Sequence, residues 1–223
     1  ATGGTAPSGN LVDAYETTGG RTFSWKDPSM AARPYENRDP RFAATIMPNN
    51  RTFQGRPVEC WEGGADGPDK NNASRTGYYL LKYVDPELKL LQGQSAIHSW
   101  IIIRLGEIYL NYAEAMNEAY GPDGKGIYGK SAREAVNEVR GRVGMPEVLA
   151  DSKEEMREKI RHERRVELAF EDHRFWDVRR WMTAPDDLNA PLKGVKVTRL
   201  SYNSFEYQSV EVESRSFKRS MYF

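Results

Sequence analysis

The chain has 223 residues, enough for one large domain or two small ones with a real core. Its 32 basic and 32 acidic residues balance, and no basic run interleaved with aromatics occurs, which argues against a nucleic-acid partner or a purely electrostatic lipid contact. Cys60 is the only cysteine, excluding an internal disulfide and a thiolate zinc site, and no apolar run approaches the ~18 residues of a membrane-spanning helix.

The chain begins ATGGTAPSGN, without a signal peptide or initiator Met, and stops at RSFKRSMYF. Both ends read as cut, as in a piece of a longer protein. Residues 1–75 are rich in Gly, Pro, Asn, Asp and Arg. SWKDPS, RPYENRDPR and EGGADGPDKNNAS read as turns and long loops. Short strands are predicted at 42–47 and 77–84, and no long helix in this part.

From 101 to 120 apolar residues recur on two faces of a predicted helix. One carries Ile101, Leu105, Ile108, Tyr112, Ala115 and Ala119; the other carries Ile102, Tyr109, Ala113, Met116 and Tyr120. Apolar residues on two sides predict packing on two sides, as in stacked helical hairpins. GPDGKG then breaks the helix. A second helix starts at Ser131, where SARE forms a capping box. Ala132, Ala135, Val136, Val139 and Val143 make its inward stripe, and GMP at 144–146 ends it. SKEE at 152–155 is another capping box, opening a helix to about residue 171. A short helix is predicted over 174–182, and loosely alternating strands from 195 onward.

GKGIYGKS, 124–131, fits the phosphate-loop pattern G-x-x-x-x-G-K-[ST]. A working phosphate loop follows a strand and opens a helix; this one follows a helix, and Ser131 is already an N-cap. The stretch is therefore predicted to be the turn of a helical hairpin. DGPDKNN at 66–72 offers oxygens for calcium but misses the EF-hand spacing, and reads as a surface turn.

RHERRVELAFEDHRFWDVRRW, 161–181, is the most charged stretch. HERRV lacks the second histidine of a metalloprotease helix. Glu163 and Glu167 lie on one helical face, too close and too parallel to flank a glycosidic bond. They share a stripe with Met156, Ile160 and Phe170, so they are expected to point inward and to be paired. Arg104, Arg164, Arg174, Arg179 and Arg180 are the candidate partners of this structural ion-pair network.

The order of motifs is distinctive: LVDAYETTGGRTFSW, RPYENRDPRFAATIM, TGYYLLKYV, SWIIIRLGEIYLNYAEAMNEA, AVNEVRGRVGMP and IRHERRVELAFEDHRFWDVRRW. Together they resemble the C-terminal half of a SusD/RagB-family protein, over nearly the whole chain from Leu11 onward. The resemblance implies a mainly α fold with irregular loop-rich regions and short β-strands, in which tetratricopeptide-like helix pairs form a scaffold, here truncated. It divides the chain into a loop-rich ligand region (1–98), a helical hairpin with charged helices (99–182) and an extended tail (183–223).

It also implies a surface nutrient-binding lipoprotein of Bacteroidetes. Such a protein is held at the outer membrane, facing outward, by a lipidated N-terminal cysteine that this chain lacks, since Cys60 is mid-chain. Its partners would be a SusC-like TonB-dependent transporter, on which it acts as a lid, an oligo- or polysaccharide, and the N-terminal half of the same protein. No catalysis, cofactor or metal is implied.

Sugars present C–H faces on which aromatic rings stack. Aromatics in loops are therefore the candidate ligand residues: Trp61, which looks exposed in VECWEGGADG; Trp25, in a turn; and the weaker Tyr35 and Tyr78. For Trp61 the alternative is loop packing, and for Trp25 an anchor for its turn. Trp100, Trp176 and Trp181, on or beside helices, are expected in the core. A docking module for the transporter without a sugar site is the second reading. A hydrolase is the third, for which no pair of facing carboxylates on separate elements is identifiable.

Overall fold

The computed structural model describes residues 4–89 and 92–222. Three short helices open it: α1 (Gly9–Val12), α2 (Pro28–Ala32) and α3 (Pro40–Thr45). Each is started by a side chain that accepts backbone N–H groups of its first turn: Ser8, Asp27 and Asp39. The predicted strand at 42–47 is mostly this third helix. Asp39 caps it and Pro40 pre-sets its first turn, leaving only β1 (Ile46–Met47) extended. A small hairpin follows, β2 (Thr52–Phe53) with β3 (Arg56–Pro57), and then β4 (Tyr79–Leu80), which pairs antiparallel with β1.

The long helix α4 covers Leu105–Tyr120, so the predicted residues 101–104 are not helical. Ile101, Ile102 and Ile103 are consecutive β-branched residues, which favour extended backbone, and all three are exposed. Gly121, at φ 76°, ends the helix. The expected two-sided burial is also corrected. Leu110, Ala113, Met116 and Asn117 are buried, whereas Leu105, Ile108, Ala115 and Ala119 face outward.

The next helix, α5 (Ala132–Arg142), carries the predicted capping box at Ser131 and Glu134. The segment between α4 and α5 is a turn as predicted. Its Lys130 bonds the carboxylate of Glu138 on α5. A further helix, α6 (Lys153–Glu167), starts at Ser152, but the second capping box is only half formed. Ser152 accepts from the Glu155 backbone, while the Glu155 carboxylate takes the N–H of Asp151 instead. The helix ends at Glu167, short of the predicted 171, because Phe170 and Asp172 sit at φ 62°. After this turn come α7 (His173–Arg180) and α8 (Ala184–Asn189), the latter not predicted. The tail folds back as a hairpin of β5 (Leu192–Ser201) and β6 (Ser204–Glu213), with the turn residue Asn203 at φ 58°.

Two main apolar clusters result. One packs Leu110 and Met116 of α4 against Ala135, Val136 and Val139 of α5 and Met156 and Ile160 of α6. The other gathers Val12, Tyr15, Phe42, Ile46 and Tyr78 of the first third with Val195 and Val197 of β5 and Val166 of α6. Strand and helix thus close the core over the loops. No helix among the described residues is long and apolar enough to cross a membrane.

Candidate functional site

The charged stripe of α6 points inward, as its spacing predicts: Glu163 is 1% and Glu167 4% exposed. Glu163 accepts from Arg41 Nη1 at 2.5 Å and from Arg140 Nη1 at 2.8 Å. Glu167 accepts from Arg41 Nη1 at 2.8 Å, Arg104 Nη1 at 2.6 Å and Arg142 Nη2 at 2.8 Å. Asp39 holds Arg41 and Glu16 holds Arg140. Arg104 is therefore a partner, as expected.

Arg174 and Arg179 are not. Arg174 pairs with Asp187 at 2.5 Å, and Arg179 bonds the Phe175 carbonyl and lies 3.6 Å from that ring's centroid. Arg164 and Arg180 both grip Asp177. Every carboxylate of the stripe is engaged by guanidinium groups, so none is placed as a free acid or base.

Burial alone would raise the pKa of Glu167, but Arg104 and Arg41 outweigh it and hold it below the usual value; Glu171 is lowered likewise by Arg104 and Lys82. A lowered folded-state pKa contributes stability above the unfolded value of about 4.3 and loses it as pH falls through the folded value. The melting temperature is therefore expected to hold from neutral pH down to about 5 and to drop below about 4. Thermal unfolding followed across that range, with Glu171→Gln showing a shallower drop, checks this.

The loop aromatics are placed differently from the expectation. Trp61 is only 8% exposed, because β5 and β6 fold over its loop. Its ring tilts against Phe205 at 5.1 Å, and the Arg199 guanidinium lies 5.1 Å from its centroid. Tyr78 is 0% exposed, and half-buried Tyr35 packs among Phe42, Tyr78 and Tyr207. Both belong to the core. Half-buried Trp25 donates Nε1–H to Asp13 at 2.9 Å and meets Phe23 edge-on, which fits the anchoring alternative.

Trp100 and Trp176, expected inside, are 57% and 65% exposed. Trp100 precedes α4 and leans on Tyr83 at 5.0 Å; Trp176 sits on α7 opposite the buried Val178. Helical position misled here because α7 is short and buries little more than Asp177 and Val178.

Of the four candidates, Trp61 lines a groove, of about 550 Å3. Its walls include Val195 and Val197, and its hydrogen-bonding groups include Ser74, Arg75, Lys196 and Thr198. Two glycines bring the 74–78 segment against β5. A Cβ on Gly77, at φ 73°, would run into the Val195 carbonyl, and one on Gly194 would sit 2.7 Å from the Thr76 carbonyl. The Val195 N–H donates to Thr76 O at 2.9 Å and locks this approach. The groove has the size of a small-ligand site, with an apolar wall and convergent polar groups. Burial pushes the neighbouring Cys60 thiol up to about 12, which leaves it unreactive at neutral pH. At 66–72, Asp66 grips Arg56 and Asp69 takes the Gly63 N–H, in keeping with a turn. No cluster of three His, Cys, Asp or Glu suited to a metal occurs among the described residues.

The family model described as the SusD family matches residues 1–223. No curated protein matches the chain. Among solved structures, a SusD-like protein from Bacteroides fragilis is 33% identical with a TM-score of 0.84, covering 99% of this chain and 44% of its own. A SusD-like carbohydrate binding protein from Bacteroides fragilis is 28% identical with a TM-score of 0.73, covering 97% and 44%. A SusD superfamily protein from Bacteroides vulgatus, 19% identical with a TM-score of 0.55 and covering 81% and 34%, shares the fold. The chain spans less than half the length of these solved relatives.

Proposed function

The chain belongs to the SusD family, and from that premise we propose that it takes part in capturing a nutrient glycan at the cell surface, without making or breaking a bond. The whole protein would sit at the outer membrane, facing outward on a lipidated N-terminal cysteine outside this chain. It would pass its ligand to a TonB-dependent transporter. The description of one similar structure as carbohydrate binding supports the ligand class. The observation that carries the location is the Trp61 groove, where an indole and two valines meet Ser74, Arg75, Lys196 and Thr198.

Titration calorimetry of the intact protein against a panel of neutral oligosaccharides tests this. Arg75, Lys196 and Thr198 are exposed, so their replacement by Ala should leave the melting temperature unchanged. Each lost hydrogen bond should weaken binding by roughly tenfold. A triple variant that binds its glycan as tightly as the parent would remove the sugar from this groove. A reducing-sugar assay is expected to detect no turnover.

A second reading rests on the outward apolar row of Trp100, Ile101, Ile102, Ile103, Leu105 and Ile108. In it, this face docks the transporter or packs on the other half of the same protein, and the groove holds no sugar. Charged substitutions on the row that abolish transporter association while glycan binding persists would favour it.

A further inference from the structure

A second cavity, of about 570 Å3, opens between α1, the turn joining α6 to α7, α8 and the start of β5. Five basic and five acidic side chains line it, so formal charge decides nothing; what differs is how each is engaged. Asp177 is taken by Arg164 at 3.0 Å and by Arg180, Asp187 by Arg174 and Thr183, and Asp13 by Trp25. Asp172 and Asp186 are exposed.

The remaining cations, Arg165, Arg215 and Lys193, make no side-chain ion pair among the described residues. The Arg165 guanidinium makes one hydrogen bond, Nη2 to the Asn10 carbonyl at 2.9 Å, and forms no ion pair among the described residues. Among the described residues Arg215 donates only to the carbonyls of Ala190 and Asp187. Lys193 acts on Asp13 through space, without a hydrogen bond between them. Burial draws Arg165 down to about 10, helped by the nearby Arg174 and Arg215 and opposed by Asp187 and Asp13. A guanidinium carries five N–H donors in a planar fork, and Arg165 commits one of them to Asn10, which leaves the others to meet a carboxylate.

We infer that this cavity is a binding site for a carboxylate-bearing ligand, held by Arg165, Arg215 and Lys193, with Leu168 and Phe175 against its apolar part. A guanidinium fork matches a planar carboxylate, and the volume suits a ligand of one to a few sugar rings. The ligand is an acidic saccharide or a small organic acid; both offer the same group to the same cations. The site is separate from the Trp61 groove, although β5 lends residues to both.

The test titrates the intact protein with a short oligogalacturonate, its neutral methyl ester, and free galacturonate. The acid oligomer, free galacturonate or both should bind at least about tenfold more tightly than the ester, and added salt should narrow the gap. Tight binding of the oligomer alone identifies an acidic glycan, and equal binding of free galacturonate identifies a small acid. Arg165→Met and Lys193→Met should each abolish the preference. Arg165→Met loses the bond to Asn10, so its melting temperature is read alongside; Lys193→Met breaks no side-chain hydrogen bond among the described residues. Equal affinity for acid and ester, no binding of either acid, or a preference that survives Lys193→Met in a folded protein overturns the site. The Arg75, Lys196 and Thr198 variants should leave the acid preference intact, so the two sites fail independently.

Discussion

Glu163→Ala is expected to lower the unfolding free energy by about 3–5 kcal/mol, because it strips one partner from a buried ion network. Arg41 and Arg140 are both buried and both donate to this carboxylate. Without it, two guanidinium groups remain inside with Asp39, Glu167 and Glu16 as their only carboxylate partners among the described residues. For a chain of this size the melting temperature should fall by roughly 10 °C. Glu163→Gln keeps the shape and one acceptor and should fall less. Glu118→Ala is the control. Its carboxylate is exposed and pairs with Arg157 and Lys153 at the surface, where such pairs contribute under about 1 kcal/mol. Glycan affinity should be unchanged in all three variants, since neither Glu163 nor Glu118 lines the Trp61 groove. Thermal unfolding of Glu163→Ala within a degree or so of the parent would show that the network is not what locks α6 in place.

The acidic half of that network was legible in the sequence, because Glu163 and Glu167 share a helical stripe with Met156 and Ile160. The basic half was not. Arg41 stands 122 residues before Glu163, in a stretch that reads as a charged loop, and nothing local marks it as a partner. Arg174 and Arg179 were close in sequence and wrong in space, since the turn at Phe170 and Asp172 sends α7 off on another course. Helix signals carried further: the Ser131 capping box and the Gly121 stop hold where placed. The sequence also showed two apolar faces on α4, but could not say that only one finds a partner among the described residues. The aromatics failed for a related reason. A loop position was read as a surface position, yet β5 and β6, more than a hundred residues later, cover the loop that holds Trp61. The acid-binding cavity had no sequence signal, because Arg165, Lys193 and Arg215 come from three separate parts of the chain.

Trp61→Ala is expected to abolish glycan binding and to cost about 3–5 kcal/mol of stability at once. The indole is almost fully buried, and its removal leaves Phe205 and the Arg199 guanidinium facing a void. Loss of binding in this variant therefore does not separate a stacking platform from a groove that has collapsed. Trp61→Phe does. It keeps a ring against Phe205, removes the second ring of the indole, and should cost less than the Ala variant, leaving a folded protein. If the sugar lies on the indole, the Phe variant should bind several-fold to about tenfold more weakly, with its melting temperature only modestly lowered. Calorimetry and thermal unfolding on the same two samples decide the matter. A Phe variant that stays folded and keeps the parent affinity would make Trp61 a core residue that merely borders the groove. Weakened binding in both the Phe variant and the Arg75, Lys196 and Thr198 variants would make wall and rim one site, since the rim substitutions replace exposed side chains and leave the core side chains in place.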